Sequence, residues 1–264
     1  MANIEVKYGS PTVTDENGMS RAKVAHHVAQ IFQLREAGHR VVLTAGGATA
    51  QGRGKHNRRL IAAGEAPVDP KKETDIQKRS YASRGSGSAY MVWEEEAAHY
   101  GIETAQVPAT TRETQDEEES RALRELLLHN MELGVVSVIN GNDATNPEGI
   151  ADLAHSRDND KVAALVARLL RIDHICYLTD VDGLLDDQRL VVPTVTAANY
   201  TEALGFIRDE GNGESGGMRS KVTEAHKLAQ VGIEAHIGNA QADLSAIIAG
   251  DIGTHFPIWT PHNP

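Results

Sequence analysis

Cysteine is almost missing: the 264 residues include one, Cys176. A single thiol forms no internal disulfide and no thiolate metal cluster, and its scarcity points to a reducing compartment. The neighbours Ile175, Tyr177 and Leu178 read as a buried strand, so Cys176 is expected to be inert and not a nucleophile. Aromatic residues are also few, at 4%, and Trp93 and Phe32, which fall at helical spacing, read as core. Positive charge is in deficit, 26 Lys+Arg against 37 Asp+Glu, for a formal net charge of −11. That balance argues against duplex DNA or an anionic membrane as the main partner, because both need a cationic face. No apolar run approaches the roughly 20 residues that cross a bilayer. Met1 to Lys7 enters a strand pattern with no signal-peptide apolar region. A cytoplasmic protein acting on small molecules, without nucleic acid or membrane as partner, is expected.

What is present is length and periodicity. With 40% apolar residues, a chain of this size can bury a core without staples. Short β-branched runs alternate with longer amphipathic stretches, the pattern of βαβ units. Strands are predicted at Ile4 to Lys7, Arg40 to Thr44, Glu103 to Val107, Val135 to Ile139, Ile172 to Leu178 and Glu234 to Ile237. Helices are predicted after Ser20, carrying Val24, Val28, Ile31 and Leu34 as far as Gly38, and at Tyr90 to Tyr100, Glu117 to Leu133, Val162 to Leu169, Met218 to Gln230 and Ala242 to Ala249. Gln51 to Gly87, rich in glycine and serine and holding Pro67 and Pro70, reads as a long surface excursion. No repeat or linker divides the chain. The expectation is one α/β domain over 1–264, a mostly parallel sheet with helices on both faces.

In such sheets ligands bind beyond the carboxyl ends of the strands. Here those ends carry Gly9-Ser10, Gly46-Gly47, Asn140 to Asp143 and Thr179-Asp180, and Gly216-Gly217 opens a helix. Small residues there let backbone N–H groups approach an anion. Neither a Walker A pattern nor a dinucleotide fingerprint occurs; Gly211, Gly213 and Gly216 have the G-x-G-x-x-G spacing but follow no strand. Lys7 ends the first strand and Lys221 falls in the expected first turn of the helix after Gly216-Gly217. Two such cations suit phosphoryl transfer, although two solvated surface lysines are the plain alternative. The twelve histidines show no H-E-x-x-H spacing, His26-His27 is expected at a helix surface, and no metal ligand is assigned.

The order of these motifs resembles the amino-acid kinase family, and within it the glutamate 5-kinases. The resemblance rests on Val6-Lys7-Tyr8-Gly9-Ser10, Gly46-Gly47-Ala48-Thr49-Ala50-Gln51-Gly52-Arg53, Val138-Ile139-Asn140-Gly141-Asn142-Asp143-Ala144, Arg157-Asp158-Asn159-Asp160, Leu178-Thr179-Asp180-Val181-Asp182-Gly183-Leu184, Ser215-Gly216-Gly217-Met218-Arg219-Ser220-Lys221 and Gly253-Thr254-His255-Phe256. It implies a three-layer αβα sandwich that moves the γ-phosphoryl of ATP, with Mg2+ on the nucleotide, to a small carboxylate. An acceptor part at about 1–170 and a nucleotide part at about 171–260 are implied. By the same resemblance Lys7 and Lys221 contact the transferred group and Asp160 organises them. Gly46, Gly47, Asn142, Asp143 and Asn159 bind the acceptor, and Gly9, Ser10, Thr179, Asp180, Ser215, Gly216, Gly217 and Met218 bind nucleotide. Self-association through the helices Arg21 to Glu36 and Glu117 to Leu133 is expected.

The chain departs from the family pattern on the acceptor side. Gly46-Gly47-Ala48 replaces Ser-Gly-Ala, Asn140-Gly141-Asn142-Asp143 replaces Asn-Glu-Asn-Asp, His155 stands where a lysine is expected, and Glu214-Ser215-Gly216-Gly217 replaces Gly-Thr-Gly-Gly. The C-terminal RNA-binding-like domain of many glutamate 5-kinases has no counterpart in the sequence. Glutamate is the first expected acceptor; a different small acid and a non-catalytic nucleotide-binding regulator are the alternatives. Arg53, Lys55, Arg58 and Arg59 are read as a loop that either closes over an anionic acceptor or is simply solvated.

Overall fold

The computed structural model describes residues 1–110, 116–145, 159–207 and 215–259. Its centre is a seven-stranded sheet in the order β5-β6-β4-β1-β7-β8-β9. The strands are β1 (Asn3–Tyr8), β4 (Arg40–Ala45), β5 (Thr104–Pro108), β6 (Val136–Asn140), β7 (His174–Thr179), β8 (Glu234–Asn239) and β9 (Thr254–Phe256). Every pairing is parallel except β8 with β9. A two-stranded hairpin, β2 (Thr14–Asp15) with β3 (Gly18–Met19), lies apart from it.

Side chains alternate across each strand, so the sheet builds two cores. On one face Ile4, Val6 and Tyr8 of β1 pack with Val24, Val28 and Ile31 of α2 (Arg21–Glu36) and Trp93 of α4 (Asp75–Ala98). On the other, Ile175 and Tyr177 of β7 meet α5 (Glu117–Leu133), α6 (Asn159–Leu170) and α8 (Ser215–Ala229). Two short helices, α7 (Tyr200–Gly205) and α9 (Leu244–Ala249), and a first turn, α1 (Ser10–Val13), complete the described helices together with α3 (Ala48–Ala62). Cys176 is buried, and burial pushes its thiol up, away from nucleophile chemistry.

Three expectations are corrected here. The stretch Gln51 to Gly87 is not an excursion: it forms most of α3, a single 3-10 turn at Pro70–Lys72 and the first half of α4, which starts at Asp75 and not at Tyr90. Two of its glycines are contact points between the helices. A Cβ at Gly52 would lie 1.9 Å from the Tyr81 carbonyl oxygen, and one at Gly85 would lie 1.9 Å from that of Ala48. Glycine therefore lets α3 and α4 approach backbone to backbone, a use that composition cannot distinguish from a loop. Second, Arg53 to Arg59 lie on α3. Arg53 is clamped by Glu73 through Nε to Oε1 at 2.5 Å and Nη2 to Oε2 at 3.3 Å, Arg58 donates to the Asn17 carbonyl and Lys55 to that of Arg84. Third, His26 is exposed but His27 is fully buried, its Nε2–H donating to the Thr12 carbonyl at 2.9 Å between Tyr8 and Trp93.

Candidate active site

Strand order reverses direction around β1: the chain moves from β1 outward to β4, β5 and β6, then returns to place β7 on the other side. This is the switch point at which a crevice opens beyond the strand ends. Lys7 stands at that end of β1, beside Thr44 of β4 and Tyr177 of β7 in register. Because Ile4, Val6 and Tyr8 face the α2 side, Lys7 faces α6 and α8.

There it meets Asp160, in the first turn of α6. The Lys7 ammonium pairs with Asp160 Oδ1, and Lys221 Nζ reaches Oδ2 at 3.2 Å. Lys7, Asp160 and Lys221 are 5%, 3% and 7% exposed, so the triad lies almost wholly out of bulk water. Lys221 is two turns into α8 and not in its first turn, because the helix begins at Ser215. Helical side chains lean toward the N-terminus, and Nζ accordingly also donates to the Gly217 carbonyl at 3.2 Å. Burial pushes the Asp160 carboxyl up, but the charges of Lys221 and Lys7 outweigh it and hold the group below the usual carboxylate range. The triad is thus two cations around one ionised carboxylate, with a surplus of one positive charge.

Glycines pack closely around the lysines. A Cβ on Gly9 would lie 3.8 Å from Lys7 Nζ, and one on Gly217 would lie 3.6 Å from Lys221 Nζ. On the β4 and β6 side, Gly46 adjoins the Ser10 backbone N, at 3.0 Å from its would-be Cβ, and the Asn159 amide, at 3.5 Å. The space a Gly141 side chain would fill holds Asn159 Oδ1, at 2.5 Å. That oxygen is buried and has no hydrogen-bond partner, so a polar atom is aimed into this corner unsatisfied. Gly47 caps α3 at φ 108°, and Asn142 has φ 32°, a left-handed conformation at a strand end. Asn140 Nδ2 ties β6 to the Ala45 carbonyl at 2.7 Å.

On the β7 and β8 side, Thr179 Oγ1 donates to Asp180 Oδ1 at 3.1 Å, and Asp182 accepts from Asn239 at 2.8 Å. Met218 packs against the α6–α8 core. The structure therefore gathers Lys7, Gly9, Asp160, Gly217 and Lys221 on one side and Ser10, Gly46, Asn159 and Gly141 on the other. Thr179 and Asp180 stand on the neighbouring strand end. His155, Arg157, Asp158 and Glu214 lie outside the described residues, as do the side chains of Ser215 and Gly216.

Two contributors escape the sequence reading. Arg79 of α4 donates from Nε to the Ala144 carbonyl at 3.0 Å, fixing the segment that carries Asn142 and Asp143. Glu5, one pleat behind Lys7 on the same face, is fully buried and accepts from Thr44 Oγ1 at 2.7 Å. Burial pushes its carboxyl well above the usual range, despite the Thr44 bond. A strand that is buried on both faces gives a lone Glu no periodic signature.

Known proteins resemble the chain in fold and in sequence. The fold resembles carbamate kinase from Giardia lamblia bound to AMP-PNP, with a TM-score of 0.66 at 15% identity over 97% of this chain and 98% of that one. It also resembles N-acetylglutamate synthase from Neisseria gonorrhoeae complexed with coenzyme A and L-arginine, with a TM-score of 0.60 at 16% identity over 98% and 62%. In sequence, a glutamate 5-kinase of Ralstonia nicotianae is 35% identical over 262 residues, covering 94% of this chain and 66% of the relative. One of Caldanaerobacter subterraneus subsp. tengcongensis is 32% identical over 269 residues, covering 98% and 68%. The chain thus spans about two thirds of the length of these curated relatives. With residues 6–239 matching the model of that family, the chain belongs to the amino acid kinase family.

Proposed function

We propose that the chain transfers the γ-phosphoryl group of ATP to a small-molecule carboxylate, giving an acyl phosphate, with the γ-carboxylate of glutamate as the first acceptor to test. The observation that carries this reading is the buried Lys7–Asp160–Lys221 triad at the switch point of the sheet. A carboxylate oxygen of the acceptor forms a bond to the γ-phosphorus while the bond to the bridging oxygen breaks, and the electron pair leaves on ADP. The acceptor is already ionised, so no general base is needed. What the reaction needs is position and positive charge around the migrating group, which Lys7 and Lys221 supply from a water-poor site. Asp160 keeps the two ammonium groups from repelling each other and aims both at one point.

Magnesium is expected with ATP, yet the triad is no cradle for it: both Asp160 oxygens already face lysines. Among the described residues no three His, Cys, Asp or Glu converge at this end of the sheet. The ion would be carried by phosphate oxygens and water. In this reading Gly9, Ser10, Thr179, Asp180 and the segment from Ser215 to Met218 serve the nucleotide, while Gly46, Gly47, Asn142, Asp143 and Asn159 serve the acceptor.

One observation favours an acceptor other than glutamate. With Asn159 occupying the space in front of Gly141, that corner presents an amide where related motifs carry a carboxylate. Hydroxylamine trapping of the acyl phosphate across a panel of small carboxylic acids, with magnesium ATP, separates the two. Hydroxamate from glutamate above all others supports the first acceptor, and a different preferred acid supports the second. No ATP-dependent product from any acid would overturn the kinase reading itself.

A further inference from the structure

At the opposite end of the sheet, one strand length from the triad, three side chains form a cluster that the catalytic reading does not use. His174 and Glu234 are the first residues of β7 and β8 and are direct partners in register. His236 follows two residues later on the same face of β8 and pairs with His255 of β9. His174 Nδ1 lies 3.4 Å from His236 Nε2 and 3.5 Å from Glu234 Oε2, and one ligand atom from each of the three falls within 4.8 Å of the others. A tetrahedral zinc ion with bonds of about 2.0–2.1 Å has ligand-to-ligand edges of about 3.3–3.4 Å. The two separations lie close to such an edge, and the third, within 4.8 Å, leaves a small closing movement to complete the triangle.

We propose that His174 Nδ1, Glu234 and His236 Nε2 form a binding site for a divalent transition-metal ion of the zinc type, with water in the fourth position. Imidazole and carboxylate together suit zinc and not magnesium, which demands an octahedron of oxygens. His255 backs the site: its Nε2 lies 3.4 Å from Glu234 Oε2, is buried, and makes no hydrogen bond, while its ring stacks on His236 at 4.8 Å between centroids. Bound metal would tie β7 to β8 beneath the strand ends that carry Thr179 and Asn239, and would steady the antiparallel edge strand β9 through the His255 stack.

No HxH or HExxH spacing announces this site in the sequence. Its ligands come from two strands 60 residues apart along the chain, joined only by their register.

The test uses the untagged chain, stripped with chelator and desalted, then titrated with zinc against a chromophoric competitor. Alongside it go His174→Gln and Glu234→Gln, whose side chains are 25% and 32% exposed and therefore tolerate exchange better than the 1%-exposed His236. One equivalent of tightly bound zinc is expected in the wild-type protein, weakened at least about tenfold in each variant. Cobalt in place of zinc should give the intense visible bands of a four-coordinate ion, lost in both variants. Zinc should raise the melting temperature of the wild-type chain and leave that of the variants unmoved. Less than one equivalent bound, or unchanged affinity in variants that melt cooperatively, would overturn the proposal.

Discussion

Asp160 is the residue at which stability and the proposed catalysis meet. Replacing it with Asn leaves two buried ammonium groups facing each other. Breaking a buried pair in this way costs about 3–5 kcal/mol, so Asp160→Asn should melt well below the wild-type protein and lose turnover even where it remains folded. Lys7 and Lys221 could be singled out from their places at a strand end and near a helix start, because position along an element is local information, and the structure brings both to Asp160. Glu5, His27 and the His174–Glu234–His236 cluster could not, since each is defined by a partner on another strand or helix. Glu5 supplies a pH prediction of definite sign. Its folded value is raised above 4.5, so its contribution to stability is complete below that pH and is lost as pH rises through the folded value. Glu5→Gln should therefore gain melting temperature relative to wild type as pH increases from 5 to 8; an equal difference at both pH values would contradict this. His27 acts oppositely. Lowered to about 4, chiefly by burial, it favours the fold above its ordinary value of 6.5 and withdraws that support as pH falls from 6.5 toward 4.

At the scale of elements, the α3–α4 pair is the part that the sequence concealed. Gly52, Gly54 and Gly85, with serines and prolines between them, have the composition of a loop, whereas Gly52 and Gly85 allow close contact between the helices and Gly54 lets α3 approach the β2–β3 turn at Asn17. The strands β1, β4, β6 and β7 were legible because short, largely apolar runs bounded by turn residues, RVVLT in β4 among them, admit few other structures. Position within the fold makes the helix pair consequential: Gly47 caps α3, and α4 holds the segment after β6 through Arg79. Gly85→Ala would press a methyl group against the Ala48 carbonyl. Overpacking of this kind costs about 1–3 kcal/mol, or more where backbone must move. The expected outcome in steady-state kinetics is a raised KM for the acceptor with little change in KM for ATP. Equal effects on both substrates would argue that α3 and α4 do not shape the acceptor side.

Over the whole molecule, one sheet separates two cores and brings two sets of strand ends to the same edge. In the proposed division, β4 and β6 present the acceptor and β7 and β8 the nucleotide, with β1 and its lysine at the seam. Hydrogen exchange should then show ADP protecting the amides around Thr179 and along α8, and the acceptor protecting those around Gly47 and Asn142. The parallel order of the sheet could be inferred from the alternation of elements. The antiparallel edge strand β9 could not, because three residues following a glycine carry too little pattern.

The central claim is that Lys7 and Lys221 act together on the migrating phosphoryl group more than on bound nucleotide. Its most direct test compares binding of ADP alone with binding of ADP plus aluminium fluoride, a planar mimic of that group, in the presence of magnesium and acceptor. Lys7→Ala and Lys221→Ala should each weaken the fluoride complex by about 10²–10³-fold while changing ADP affinity far less. Equal losses for both ligands, or no loss for the fluoride complex, would contradict it.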